Sequence, residues 1–363
     1  MWIKLYWGDV ISVLEIDLQK IKQNIQTIKI KLNKNQKFCL VAKANAYGLG
    51  DKVIAKFLSE EVDYFAVSSK DEFLRVRQYT TRPILILTPI YENITKLAKL
   101  KAEFCVSNFE SFKKIFDAAK KNKTLNFKIH IAINSGMNRF GFCDKKMVSY
   151  LIKQVEKVQN IVICGVFSHY FEAKNKKIAK SQKDKFVEYV NLFNLNFHKN
   201  KILFHICNSY ATAYFNDFDM VRVGIFAYDY SHNSAVKLSS KIIDFQFVSK
   251  GKSVGYNREF VAKKYTKIAV VAIGYADGIF RNIVKKGYVL IGGEFCKIVA
   301  IAMDSIFIDV NNVECNICDE VVLIGKSGNN EIFVCDLAKW CDTISYEILT
   351  SISSRVERKY LKG

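Results

Sequence analysis

The sequence predicts an α/β protein: a (β/α)8 TIM-type barrel followed by a second, mainly β C-terminal domain. Between about residues 36 and 225, eight short β-branched runs alternate with longer helical stretches, the grammar of βα units around a parallel sheet. No G-x-G-x-x-G follows any of these runs, so an open dinucleotide-binding sheet lacks its usual mark. After about residue 235 the helical intervals become few, and short alternating runs succeed one another across turns. The length of 363 residues fits about two folding units.

In chain order the eight runs fall at 37–42 (KFCLVA), 62–67, 83–87 (PILIL), 102–106, 127–133 (FKIHIAI), 161–167 (IVICGVF), 202–206 (ILFHI) and 220–224 (MVRVG). Eight is the number that barrel closure requires. The later runs lie at 267–275 (KIAVVAIGY), 287–291, 297–302 and 306–310. The segment 9–17 is also strand-like and precedes an amphipathic stretch at 18–32, so the N-terminus is expected to pair with the C-terminal domain. The expected domains are 12–234 for the barrel and 235–363, with 1–11, for the β-rich unit. Pro83 and Pro89 are the only prolines, which leaves no Pro-rich linker and makes the crevice between two closely packed units a natural ligand site.

Half of the residues are hydrophobic and 25% are charged, which excludes a disordered chain. The 55 Lys and Arg against 35 Asp and Glu give a net charge of +20. The lysines scatter along predicted helices, as at Lys113, Lys114, Lys120 and Lys121, and no nucleic-acid motif accompanies them; they read as solvated faces, and nucleic acid is not an expected partner. No run approaches the roughly 18 uncharged apolar residues of a membrane span, and the N-terminus lacks an unbroken apolar region before a small-residue cleavage site. The ten cysteines then suggest reduced thiols and a cytoplasmic protein. Cys315 and Cys318 form a lone CxxC without a second pair or a nearby histidine; it reads as incidental, and no metal site is expected.

In a barrel the chemistry sits at the C-terminal ends of the strands. The first run ends in Val41-Ala42-Lys43-Ala44-Asn45-Ala46-Tyr47-Gly48-Leu49-Gly50. Alone, Lys43 reads first as a solvent-facing strand-end lysine. Buried, it is a desolvated amine with a lowered pKa, a nucleophile suited to a Schiff base.

KANAYGLG resembles the cofactor-binding segment of the alanine racemases, pyridoxal-phosphate enzymes that pair a barrel with a C-terminal β domain, and the resemblance extends over nearly the whole chain. Leu14-Glu15-Ile16-Asp17-Leu18 resembles the family's opening, and Ile133-Asn134-Ser135-Gly136-Met137-Asn138-Arg139-Phe140-Gly141 its D-T-G-M-x-R-x-G element. Gly165 to Tyr170, Cys207-Asn208-Ser209 and Val221 to Ile225 resemble segments that line the cofactor. Val254-Gly255-Tyr256, Ile273 to Gly278 and Ala302-Met303-Asp304 follow in the family's order.

The resemblance implies an alanine racemase activity that interconverts L-alanine and D-alanine and supplies D-alanine for peptidoglycan. It implies a homodimer with shared active sites. Lys43 would hold pyridoxal phosphate and act as a base on one face of the substrate, and Tyr256 of the second subunit would act on the other. A phenol with a pKa near 10 needs a cationic neighbour or a hydrogen-bond chain, which His169, linked towards Arg222, would supply. Arg222 would face the pyridine nitrogen, where a carboxylate would otherwise favour a protonated ring. Tyr47, Ser209 and the N–H groups of Gly224 and Ile225 would hold the phosphate, with Asn208 beside the cofactor. Arg139 and Met303 would meet the substrate carboxylate, with Tyr275 and Asp304 at the entrance. A broader-specificity racemase, acting for example on serine, and a non-catalytic pyridoxal-phosphate carrier are the alternatives.

The element around Arg139 departs from the family's pattern at Asn134 and Ser135, where Asp and Thr are usual, and two further positions depart from it. Ala132 stands where many members carry a carbamylated lysine whose charge positions the arginine, so Arg139 is expected to be balanced by another anion, such as chloride, or by a nearby side chain. Ser354 stands where a tyrosine is usual, which would leave Tyr256 less constrained and the pocket roomier.

Overall fold

A computed structural model describes residues 11–196, 202–215, 217–230 and 233–362; residues 9 and 10 of the strand-like segment, and 1–10 of the expected C-terminal unit, lie outside the described residues. The chain divides into two compact units, one comprising Lys22–Ala46 and Gly50–Ala227, the other Tyr47–Leu49, the described chain up to Ile21 and the chain from Tyr228 onward.

The first unit is the barrel. After helix α1 (Leu18–Lys29) come β2 (Lys37–Val41), a short turn α2 (Lys43–Tyr47), α3 (Asp51–Leu58), β3 (Tyr64–Val67), α4 (Lys70–Arg77), β4 (Ile84–Pro89), α5 (Ile94–Lys99) and β5 (Ala102–Val106). Then follow α6 (Phe109–Lys121), β6 (Phe127–Ala132), α7 (Lys145–Val155), β7 (Ile161–Phe167), α8 (Lys176–Asn196), β8 (Leu203–His205), β9 (Met220–Val223) and α9 (Ile225–Tyr228). The eight strands β2 to β9 are those the sequence predicts, in parallel order β8-β7-β6-β5-β4-β3-β2-β9. The ring closes where the Asp219 amide donates to the Phe204 carbonyl (2.9 Å) and the Arg222 amide to the Cys207 carbonyl (3.0 Å). Helices cover such a sheet, so its strands are apolar over most of their length: Leu40, Phe65, Leu85, Phe104 and Ile129 are completely buried. Each such side chain contributes about 1.5–3 kcal/mol of burial free energy.

The second unit holds β1 (Val13–Asp17), the short pairs β10 (Asp229–Tyr230) and β11 (Asn233–Ser234), the long β12 (Val236–Val248), β13 (Ser253–Val254) and β14 (Phe260–Val261). It continues with β15 (Thr266–Val271), β16 (Tyr288–Ile291), β17 (Glu294–Ile301), β18 (Ile306–Asp309), β19 (Glu320–Ser327), β20 (Asn330–Ile332), α10 (Val334–Trp340), α11 (Ser345–Ser351) and β21 (Glu357–Leu361). Strand β12 pairs with both β15 and β19, closing β12-β15-β18-β17-β16-β19 into a ring. β1 pairs antiparallel with β12 and parallel with β21, so the N-terminal strand does join the β-rich unit. The expected strand 267–275 stops at Val271, because Gly274 begins a tight turn rather than continuing the ladder.

Candidate active site

Strand β2 delivers Lys43 to the C-terminal end of the barrel, and the backbone then does something no propensity foretells. Ala44, Asn45, Ala46 and Tyr47 all have positive φ (51°, 56°, 51° and 58°), forming a left-handed turn. For non-glycine residues this costs about 1–2 kcal/mol each. The turn persists because its polar groups are over-determined: the Ala44 amide donates to Glu72 Oε1 (2.8 Å), the Gly50 amide to the Asn45 carbonyl (2.9 Å) and the Asp51 amide to Asn45 Oδ1 (3.0 Å). Glu72 is also the third residue of α4, where it completes a capping box with Ser69. Backbone held in such a conformation beside a reactive side chain is a feature of functional sites.

Lys43 is half-buried. Its pKa is lowered by burial first and then by the Arg139 guanidinium; Glu72 opposes this and Arg222 adds to it. Arg139, Arg222, Lys43 and His169 therefore share one electropositive region at the barrel mouth. His169 lies well below the ordinary histidine range, through burial and then through Arg222, Arg139 and Lys43, and is neutral at pH 7.

Arg222, buried, is brought down by that burial to a pKa of about 10 and stays cationic at neutral pH. It donates from Nη1 to His205 Nδ1 (2.6 Å) and to the His205 carbonyl (3.0 Å), and from Nη2 to the Ser168 carbonyl (2.6 Å), with His169 Nδ1 at 3.4 Å. On the far side of that ring, Asn208 Nδ2 approaches His169 Nε2 (3.2 Å) and donates to the Tyr170 carbonyl (2.7 Å). The Gly224 amide donates to Ser209 Oγ (2.9 Å), and Ile225 opens α9 immediately after. Tyr47 is buried, its phenol raised above its usual range by that burial.

Arg139 lies over the Phe140 ring (4.9 Å) and lines a cavity of about 20 Å³ together with Ala132, Ser135, Phe167, Ser168 and His169. Such a volume admits about one water-sized species. Among the described residues no carboxylate pairs with Arg139.

The remaining expected residues belong to the β-rich unit and are exposed: Tyr256 at 63%, Met303 at 52% and Tyr275 at 38%. Tyr256 opens a single turn behind Gly255. Tyr275 and Met303 are fixed by backbone: the Tyr275 amide donates to the Ala302 carbonyl (3.2 Å) and the Ala276 amide to the Met303 carbonyl (2.9 Å). Gly274 makes this approach feasible, since a Cβ there would fall 2.3 Å from the Met303 carbonyl oxygen. Asp304 is engaged by Arg355 (2.7 Å), and Ser354 is exposed beside it in the chain.

Sequence reasoning missed Glu72, Glu103, His130 and His205. The last three carried the signal used for Lys43, a polar side chain inside an apolar strand: AEFCV, FKIHIA and LFH.

Fold and site define a two-domain class: a (β/α)8 barrel with a desolvated lysine at its mouth, followed by a β-barrel domain. The family model of the alanine racemase N-terminal domain matches residues 16–232, and that of the C-terminal domain residues 235–360. An "Alanine racemase 2" of Caldanaerobacter subterraneus subsp. tengcongensis is 34% identical, covering 96% of this chain and 94% of that protein; one from Thermodesulfovibrio yellowstonii is 33% identical, covering 96% and 97%. The solved alanine racemase from Bacillus anthracis with bound L-Ala-P superposes with a TM-score of 0.90 at 29% identity, covering 99% of this chain and 97% of that one. That of Clostridium difficile 630 gives 0.88 at 33%, covering 98% and 97%. The chain belongs to the alanine racemase family.

Proposed function

We propose that this chain interconverts L-alanine and D-alanine with pyridoxal phosphate as cofactor, supplying D-alanine for peptidoglycan. The observation that carries this reading is Lys43, an amine with a lowered pKa set at the barrel mouth among cations. The residues present fit the cofactor. A lysine that is readily neutral suits covalent attachment, and the paired Ser209 hydroxyl and Gly224 amide, with the Ile225 amide opening α9, suit a phosphate. Tyr47 would add a further donor to the phosphate, and Asn208 and His169 would flank the ring. Arg222, a permanent cation with no proton to accept, suits an unprotonated pyridine nitrogen.

When bound, the cofactor supplies an electron sink that makes the α-hydrogen of an amino acid acidic. The Lys43 amine then takes or returns a proton at the α-carbon from one face, and the Tyr256 hydroxyl of a second subunit does so from the other. His169 holds that phenol through a hydrogen bond. Arg139 and the Met303 amide bind the substrate carboxylate, while Tyr275 and Asp304 shape the entrance. A small anion in the cavity beside Ala132 balances Arg139. The exposure of Tyr256 in the single chain supports a homodimer with shared sites, and ten free thiols support a cytoplasmic location. Among the described residues, no helix is long and apolar enough to cross a membrane.

The test is chemical. Purified protein loaded with pyridoxal phosphate should absorb in the visible, and borohydride should fix the label to Lys43 on peptide mapping. L-alanine should yield D-alanine in a D-amino acid oxidase assay. A label at another residue, or no D-alanine, overturns the reading. A substrate panel including serine addresses the roomier pocket expected from Ser354.

A further inference from the structure

Inside the barrel, on the side of Arg222 away from His169, runs a hydrogen-bond chain that the racemase reading does not use. Arg222 Nη1 meets His205 Nδ1 at 2.6 Å, His205 Nε2 meets His130 Nδ1 at 3.0 Å, and His130 Nε2 meets Glu103 Oε2 at 2.8 Å. Glu103, His130 and His205 are 1%, 0% and 0% exposed. Four strands supply one member each: β5, β6, β8 and β9. β7, between β6 and β8, contributes Gly165, where a Cβ would fall 2.3 Å from His130 Nδ1, so the neighbouring strand leaves room for the ring.

The ends determine the protons. A guanidinium only donates, so His205 Nδ1 is an acceptor and the ring hydrogen of neutral His205 is on Nε2. That hydrogen points at His130 Nδ1, whose own hydrogen is then on Nε2 and points at Glu103, an acceptor when ionised. An imidazolium at either position would set one N–H against another. Burial is the largest influence on Glu103 and raises its pKa, but donation from His130 and the nearby Lys128 outweigh it and hold the carboxyl below its usual range. Among the described residues no carboxylate pairs directly with Arg222.

We propose that Glu103 is a positioning residue for the reaction: through two neutral imidazoles, each locked as its Nε2–H tautomer, it is the remote counter-ion of Arg222 and orients that guanidinium towards the cofactor ring. The proposal rests on the reading that Arg222 faces the pyridine nitrogen. Facing Glu103 are His130 and Lys128 from β6, the latter with its Nζ 3.6 Å from Oε1, Arg77 from α4, Tyr64 from β3, Cys39 from β2 and Cys164 from β7; facing Arg222 are His205, His169, Cys39, Cys207, Arg139 and Lys43.

The test combines histidine 15N NMR of the whole holoprotein with two variants. The chain has only five histidines, and His130→Gln and His205→Gln assign the two signals. In the parent protein both rings should carry their hydrogen on Nε2 and none on Nδ1. Glu103→Gln keeps an acceptor but loses the charge. It should lower by a few tenths of a unit to about one unit the pH at which the bound cofactor's visible absorbance changes, because removing an anion disfavours the cationic form. It should also reduce kcat/KM about tenfold, as loss of an outer partner does. Glu103→Leu removes the acceptor as well and should mix the His130 tautomers. A wild-type absorbance midpoint and kcat/KM in Glu103→Gln, or an Nδ1-protonated His130 or His205 in the parent, overturns the proposal. If both variants fail to fold, the parent histidine spectrum decides alone. A chain that binds no cofactor would sink the functional reading, and the histidine spectrum would still report on the chain of hydrogen bonds.

Discussion

The mouth of the barrel and the exposed turns of the β-rich unit are built on opposite principles. At the mouth, side chains do the work: Arg222 is 4% and Ser209 3% exposed, the first held by carbonyls and His205, the second by the Gly224 amide. In the β-rich unit, Tyr256, Tyr275 and Met303 are exposed and only their backbones are held. Burial pre-organises a group and shifts its pKa; exposure leaves it free to meet whatever arrives. The difference accords with the proposed roles, a pre-organised cofactor site at the barrel mouth and exposed tyrosines in the β-rich unit.

The comparison breaks most visibly at Lys43. Lys43→Ala should remove both the visible absorbance and measurable racemisation, since the covalent anchor and one base go together. Tyr256→Phe should keep the absorbance and lower kcat in both directions by about 10²–10⁴-fold, the range for one acid or base. Mixing the two inactive chains should restore part of the activity if sites are shared between subunits; no recovery in verified mixed dimers would deny the sharing.

Stability sharpens the contrast. Gly274→Ala forces a Cβ against the Met303 carbonyl and should cost about 1–3 kcal/mol in urea unfolding, with a raised KM for alanine. Lowering the pH tests the buried side. His169 and His205 have folded pKa values depressed below the unfolded value near 6.5, so their contribution is present above that pH and is lost as the pH falls through it. Each should remove about 1.4 kcal/mol per pH unit below roughly 6.5, and His205→Gln should flatten that slope. The smallest effect concerns the anion beside Arg139: exchanging chloride for gluconate should raise KM about two- to tenfold, and an unchanged KM would remove the anion from the account.

Much of this was legible in the residues. The eight strands stand out because strands covered by helices read as continuous apolar runs, and Lys43 stands out because an ammonium at the end of such a run demands a reason. The left-handed turn after it was not legible, since Ala44 and Ala46 carry no mark of positive φ and Asn45 alone does not foretell four such residues in a row; Glu72, distant in sequence, holds it. Glu103, His130 and His205 were visible as polar interruptions, but nothing local says that they touch.

By itself the sequence determined the eight barrel strands, the change to a β-rich pattern after about residue 235 and which residue types gather at the strand ends, because period and local chemistry are properties of neighbours along the chain; it did not mark the long β12 or β19. The tertiary structure alone decided the protonation of His169, the carboxylate-free setting of Arg139 and the line from Glu103 to Arg222. Each depends on burial and on contacts across strands, and those exist only once the barrel has closed.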